Sequence, residues 1–149
     1  MPVSATVTTI GDVDPGGATD PWAVGGTLKV GNSGNGTLNV AAGGVVSDYH
    51  GYLGYDSGST GEATITGAGS QWNNSSKLYV GYSGTGTLNV TAGGVVANTW
   101  GYIGRYSGST GEATVAGSGS EWNNAEDLYV GLEGTGTLNI EDEGLVTVD

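Results

Sequence analysis

Leu78-Tyr79-Val80-Gly81-Tyr82-Ser83-Gly84-Thr85-Gly86-Thr87-Leu88-Asn89-Val90 decides the fold. A glycine-rich turn around Gly84 leads into a run where Leu88 and Val90 alternate with Thr87 and Asn89. That period of two is the pattern of a strand with one buried face. Ala92-Gly93-Gly94 marks the next turn, and Val95-Val96 begins another strand. Helical periodicity is absent, and β-branched residues fill the spaces between glycines, as strand propensity favours.

The stretch recurs along the chain. Trp22, Trp72 and Trp122 are evenly spaced, and each stands just ahead of a leucine at the same offset: Leu28, Leu78 and Leu128. Residues 28–77 align with 78–127 without a gap and match at 32 of 50 positions. Each unit divides again, here into a shorter piece (78–100) and a longer one (101–127). Both pieces open on one signature, seen in Leu28-Lys29-Val30-Gly31, Gly51-Tyr52-Leu53-Gly54, Leu78-Tyr79-Val80-Gly81, Gly101-Tyr102-Ile103-Gly104 and Leu128-Tyr129-Val130-Gly131. The underlying period is therefore about 25 residues, alternating short and long.

A strand of about four or five residues cannot bury a core alone. Stacked on its equivalent one period later, it forms a parallel ladder with rungs about 4.8 Å apart. The pattern predicts an all-β fold: a right-handed parallel β-solenoid (β-helix) of about six rungs of roughly 23–27 residues, three short strands per rung. One solenoid domain is expected over residues 1–149. Residues 1–27 form a degenerate N-terminal rung or cap with an insertion around Gly11 to Asp20. Residues 28–77 and 78–127 are the two repeats, and 128–149 a partial third with an acidic end. Three interior columns are predicted: Val30, Leu53, Val80, Ile103 and Val130; Leu38, Ala63, Leu88, Ala113 and Leu138; and Val40, Ile65, Val90, Val115 and Ile140. Tyr52, Tyr79, Tyr102 and Tyr129 should form an outer ladder with Lys29 at its head, since in-register sheets stack like on like.

Composition bounds the function. Of 149 residues 31 are Gly, and the matched positions of these glycines make them corner markers rather than a mark of disorder. There is no Cys, so neither a disulfide framework nor a Cys-ligated metal is available. Fifteen acidic residues against three basic ones give a net charge of −12, which disfavours nucleic acid as a partner. No apolar run approaches the roughly 18 residues of a membrane-spanning helix, so membrane insertion of this segment is not expected. The opening residues, Met1 to Thr6, carry no secretory signal pattern. The chain is then either intracellular or a piece of a longer secreted protein.

The Leu78–Val90 stretch and Gly119-Ser120-Glu121-Trp122-Asn123-Asn124 resemble repeats of bacterial autotransporter passenger domains and related large surface proteins. The resemblance runs from about Trp22 to Val146. It implies a right-handed β-helix displayed at the cell surface or secreted as part of a longer precursor, with roles as adhesin, aggregation factor or stalk.

Candidate chemistry is sparse. His50, the single histidine, aligns with Trp100, which reads as a surface corner without a catalytic role. Glu62 and Glu112 are equivalent positions two rungs apart, about 9.6 Å by rung spacing, close to the carboxylate separation of an inverting glycosidase. An outward Thr/Glu ladder with Thr37, Thr87 and Thr137 explains them as well, and its charged rungs spoil a flat ice-binding array. Asp12-Val13-Asp14-Pro15-Gly16-Gly17-Ala18-Thr19-Asp20 spaces carboxylates like the start of an EF-hand loop but lacks the closing Glu and the flanking helices. Glycine-rich segments such as Gly81–Gly86 lack the Gly-Lys-Ser/Thr of a phosphate loop.

The preferred expectation is a non-enzymatic structural or adhesive module with no catalytic, cofactor or metal residues. Tyr52, Tyr79, Tyr102 and Tyr129 are its candidate contact face toward host or bacterial surface glycans or toward a second copy, and structural packing of these rings and of the three tryptophans along the rod is the competing explanation. Alternatives are a polysaccharide-binding or polysaccharide-cleaving β-helix, with the tryptophans also stacking on sugars, and an engineered repeat scaffold without a natural ligand. Glu141-Asp142-Glu143 at the last rung reads as charge protection, giving a monomer at neutral pH that self-associates in acid or high salt.

Overall fold

The computed structural model describes residues 4–149; residues 1–3 of the predicted N-terminal rung lie outside the described residues. Three strands open the chain: β1 (Thr6–Gly11), β2 (Val13–Asp14) and β3 (Trp22–Ala23). Five turns of three strands follow. They are β4 (Thr27–Val30), β5 (Asn35–Ala41) and β6 (Val45–Asp48); then β7 (His50–Leu53), β8 (Thr60–Thr66) and β9 (Gln71–Asn74). The third is β10 (Lys77–Val80), β11 (Thr85–Thr91) and β12 (Val95–Asn98), and the fourth β13 (Trp100–Ile103), β14 (Thr110–Ala116) and β15 (Glu121–Asn124). The fifth is β16 (Leu128–Val130), β17 (Thr135–Glu141) and β18 (Leu145–Val148).

Equivalent strands stack into three six-stranded sheets. The first holds β2, β4, β7, β10, β13 and β16; the second β1, β5, β8, β11, β14 and β17; the third β3, β6, β9, β12, β15 and β18. From the first full turn onward every neighbouring pair is parallel and in register, so Leu88 lies between Ala63 and Ala113. The fold is the β-solenoid that the repeat predicts.

The opening segment takes the second form of the predicted degenerate rung or cap, leaving five full turns. β1 runs antiparallel to β5, and β2 runs antiparallel to β4. Only β3 keeps the parallel sense, against β6. Residues 6–23 therefore cap the rod rather than add a sixth turn. Reversed strands satisfy the edge hydrogen bonds of β4 and β5 without presenting another parallel edge.

The glycines at the corners are dictated by the spacing of turns. Gly81 has φ +78°, and a methyl group there would collide with the Thr110 carbonyl of the next turn. Only glycine accepts both the left-handed backbone and the close approach.

The interior explains why the repeat spans two turns of the solenoid rather than one. One column of the third sheet reads Trp22, Val46, Trp72, Val96, Trp122, Val146. Facing columns read Leu28, Gly51, Leu78, Gly101, Leu128 in the first sheet and Leu38, Ala63, Leu88, Ala113, Leu138 in the second. A turn with Trp thus carries Gly and Ala, and a turn with Val carries two Leu. Trp72 reaches across to Gly51, where a Cβ would sit only 2.8 Å from the indole Cζ2. Alternating large and small residues holds the summed core volume nearly constant, as dense packing requires. The predicted columns are buried through the fourth turn. In the fifth, Val130 and Ile140 are about half exposed, at 46% and 51%, because no further turn covers them.

Candidate functional site

The outer face of the first sheet carries the tyrosine ladder. Strict register places Tyr52, Tyr79, Tyr102 and Tyr129 one above another. Their rings stack at 4.8, 4.9 and 5.1 Å between centroids, with interplanar angles of 13°, 17° and 12°. Lys29 pairs with Tyr52 at the head of the row. A second row lies beside the first: Tyr55 stacks on Tyr82 at 5.1 Å, and Tyr82 meets Tyr106 edge-on at 4.9 Å. Lys29 Nζ sits 3.9 Å from the centre of the Tyr55 ring. The Arg105 guanidinium lies 4.4 Å from that of Tyr106 and is held by Glu133 at 2.8 Å.

This packing sets what the face can do. Burial, then the neighbouring phenol of Tyr106, pushes Tyr82 up to about 12, and burial raises Tyr79 further still. Both stay protonated across the physiological range. Each stacked pair contributes about 0.5–1.5 kcal/mol beyond area burial. The rings cover one another's faces, so the middle of the ladder offers edges and hydroxyls to a ligand rather than open ring planes. Tyr129, at the end of the row, has no further tyrosine stacked on its outer side.

Glu62 and Glu112 flank Thr87 in register, as predicted. They are exposed on the outer face of the second sheet, and Glu112 Oε1 accepts a 3.2 Å hydrogen bond from Asn139 Nδ2. The tyrosines belong to the first sheet, so the carboxylates and aromatic rings of the polysaccharide reading sit on different faces. The aspartates of the Asp12–Asp20 loop diverge too. Asp12 Oδ2 accepts the N–H groups of Ser33 and Gly34 at 2.6 Å each, and these hold its carboxyl below the usual range. Asp20 Oδ1 accepts the Val45 N–H at 3.0 Å. Both tie the cap to the first full turn. His50 is half-buried; its Nδ1 accepts the Lys77 N–H at 3.3 Å, and burial, then Lys77, lowers its pKa.

The direction of the tryptophans, which the sequence leaves open, is set by the fold. As partners for sugars they would need to be exposed, but Trp22, Trp72 and Trp122 all point inward and are buried. Just beyond each of the last two, the strand again turns inward and carries Asn74 or Asn124. Asp48 and Asn98 hold the matching places on β6 and β12. Trp122 Nε1 donates to Asn98 Oδ1 at 2.6 Å, and Asn98 Nδ2 donates to Asn124 Oδ1 at 2.7 Å. Trp72 Nε1 donates to Asp48 Oδ2 at 2.8 Å. Burial drives Asp48 up to about 7, against the lowering effect of the Trp72 N–H. An open cleft of about 450 Å³ lies over this region, and Asp48 and Asn74 line it together with Ser47, Tyr49, Asn73 and Ala97.

Sequence reasoning passed over Tyr55, Tyr82 and Tyr106, and it passed over Asp48. A slip of a single position hides the second aromatic row, since Gly54-Tyr55 and Gly81-Tyr82 correspond to Gly104-Arg105-Tyr106. The Trp/Val register was the available signal for an inward tryptophan, and the next inward position along the same strand marks the buried polar column. No family model, no curated protein and no solved structure matches the chain.

Proposed function

We propose that this chain is a non-enzymatic structural or adhesive module of a bacterial surface or secreted protein, a short rigid rod that presents an ordered aromatic face. The observation that carries this reading is how the outer side chains are engaged. Tyrosine stacks on tyrosine, Arg105 is fixed by Glu133, and Thr91 Oγ1 donates to Thr66 Oγ1 at 3.0 Å. Such groups stiffen a surface by contact between turns, which suits display more than turnover. The likeness to passenger-domain repeats supports location at the cell surface. The acidic last rung, with Glu141, Asp142 and Glu143 around exposed Ile140 and Leu145, supports a monomer at neutral pH. Light scattering is then expected to rise on moving from pH 7 to pH 4 or into high salt.

Glycans are the partner class best suited to a row of phenol edges and hydroxyls. A glycan array with the intact protein, followed by a reducing-end assay on any retained polysaccharide, tests the reading. Binding is expected to weaken in Tyr102→Ala and Tyr129→Ala, with no release of reducing ends. Reducing ends that appear with the wild type and vanish in Glu112→Gln would replace the module with an enzyme.

A further inference from the structure

Asp48 occupies a break in an otherwise repeated interior network. In the second repeat the amide of Asn98 accepts from the Trp122 indole and donates to Asn124 Oδ1. Asp48, Trp72 and Asn74 are the equivalent positions of the first repeat, and Asp48 is in register with Asn74 as Asn98 is with Asn124. Its Oδ2 accepts from Trp72, as Asn98 Oδ1 accepts from Trp122. The second bond is missing. Asp48 Oδ1 and Asn74 Oδ1 are both buried and both lack a partner, on residues only 6% and 4% exposed. Asn74 Nδ2 is directed at the Ala97 carbonyl, at 3.5 Å. Turning that amide round would aim Nδ2 towards Asp48 Oδ1 but would set the Asn74 oxygen against the Ala97 carbonyl, oxygen facing oxygen at 3.5 Å.

We propose that Asp48 is a proton-binding site: the folded chain holds its carboxyl as the neutral acid, whose Oδ1–H donates to Asn74 Oδ1 and completes the network as Asn98 Nδ2 does one repeat later. The proton comes from solvent, and no covalent bond is made or broken beyond the O–H. An unpaired buried carboxylate is costly, whereas a neutral acid with both oxygens bonded is not. Among the described residues the neighbouring strands supply no counter-charge. β3 and the residue after it bring Trp22, Ala23 and Val24 alongside β6, and β9 brings Gln71, Trp72, Asn73 and Asn74. From the first sheet, Gly51 lies opposite, against Asn74 and Trp72. The neighbouring titratable groups are Asp20 and Tyr49, both exposed, and His50, half-buried. Burial is the leading cause of the upward shift to about 7.

Between roughly pH 4 and pH 7 the folded chain keeps a proton that the unfolded chain releases. The folded-state pKa is the higher of the two, so stability from this site is complete below pH 4 and is lost as pH rises through 7. The first two turns thus form an acid-stabilised segment within the rod.

Denaturant unfolding of the full chain between pH 4 and pH 9, wild type against Asp48→Asn, tests the proposal. Asp48→Asn copies the residue of the second repeat and supplies the missing donor at every pH. The ratio of the two folding constants is expected to change by up to about tenfold per pH unit across the window, with the variant the more stable at pH 8. Infrared difference spectra should show a protonated carboxyl band at pH 5.5 that Asp48→Asn lacks. Parallel stability curves, a variant less stable than wild type at pH 8, or an absent band would overturn the assignment. So would stabilisation of the wild type but not the variant by added calcium at pH 8, which would put a cation where the proton is placed.

Discussion

In residues 28–77 the indole of Trp72 donates to a carboxyl group, and in residues 78–127 the indole of Trp122 donates to an amide. The inward-facing partners of the two pairs match: Gly opposite the indole, Ala in the second sheet, Asn as the next ladder residue. A solenoid turn is specified by volume and register, and it accepts a change of polar group provided shape and hydrogen bonding are met. Asn98 meets both, whereas Asp48 meets the second only with a proton. The near-identity of the repeats makes each a control for the other.

The largest effect should come from breaking the volume rule. Trp122→Val places two small residues and a valine in one turn, and a loss of about 3–5 kcal/mol is expected from chemical denaturation. Adding Ala113→Leu refills part of that space without touching Gly101, where a Cβ would also meet Asn124 Oδ1 and Leu128 Cδ1, and should restore part of the loss. A double variant no more stable than the single one would show that the alternation does not set the packing.

Next in size is the reverse exchange at the polar column. Asn98→Asp gives the second repeat the gap of the first, with Asn124 Oδ1 left without its donor. A loss of about 2–4 kcal/mol is expected at pH 8, shrinking as the pH falls to 5, because the buried acid is then neutral. An equal loss at both pH values would detach the effect from ionisation.

A smaller contrast lies along the tyrosine ladder. Tyr79 is buried between two stacked neighbours, whereas Tyr129 ends the row. Tyr79→Ala should cost about 2 kcal/mol and Tyr129→Ala less than about 1 kcal/mol, read from denaturation midpoints. The smallest effect is a gain. Gly93 and Glu143 hold the same turn position two turns apart, both in the left-handed region at φ +89° and +69°. Glu143→Gly relieves that backbone and should add about 0.5–1 kcal/mol.

The rungs, the three aliphatic columns and the first tyrosine row were legible because each repeats one residue type at one position. Leu88 between Ala63 and Ala113 follows from alignment alone. The antiparallel cap was not legible, since β1 and β2 share the composition of the other strands and nothing in Thr6–Gly11 marks its direction. The inward tryptophans were obscured by the polar N–H that lets an indole sit on a surface equally well. Asp48, Asn74, Asn98 and Asn124 read as turn or surface residues by type, and only an indole donor and a facing glycine make their burial tolerable. For the candidate site, the row of rings could be placed from sequence, but the covering of ring faces by one another could not.

The most direct test is to follow the indole N–H resonances of Trp72 and Trp122 by NMR as the pH is raised from 5 to 9. Both should exchange slowly with solvent, because both rings are buried. Trp72 should shift with a midpoint near pH 7 as Asp48 loses its proton, while Trp122, bonded to Asn98, should not move. Rapid exchange of either indole, or matching pH profiles for the two, would contradict the account.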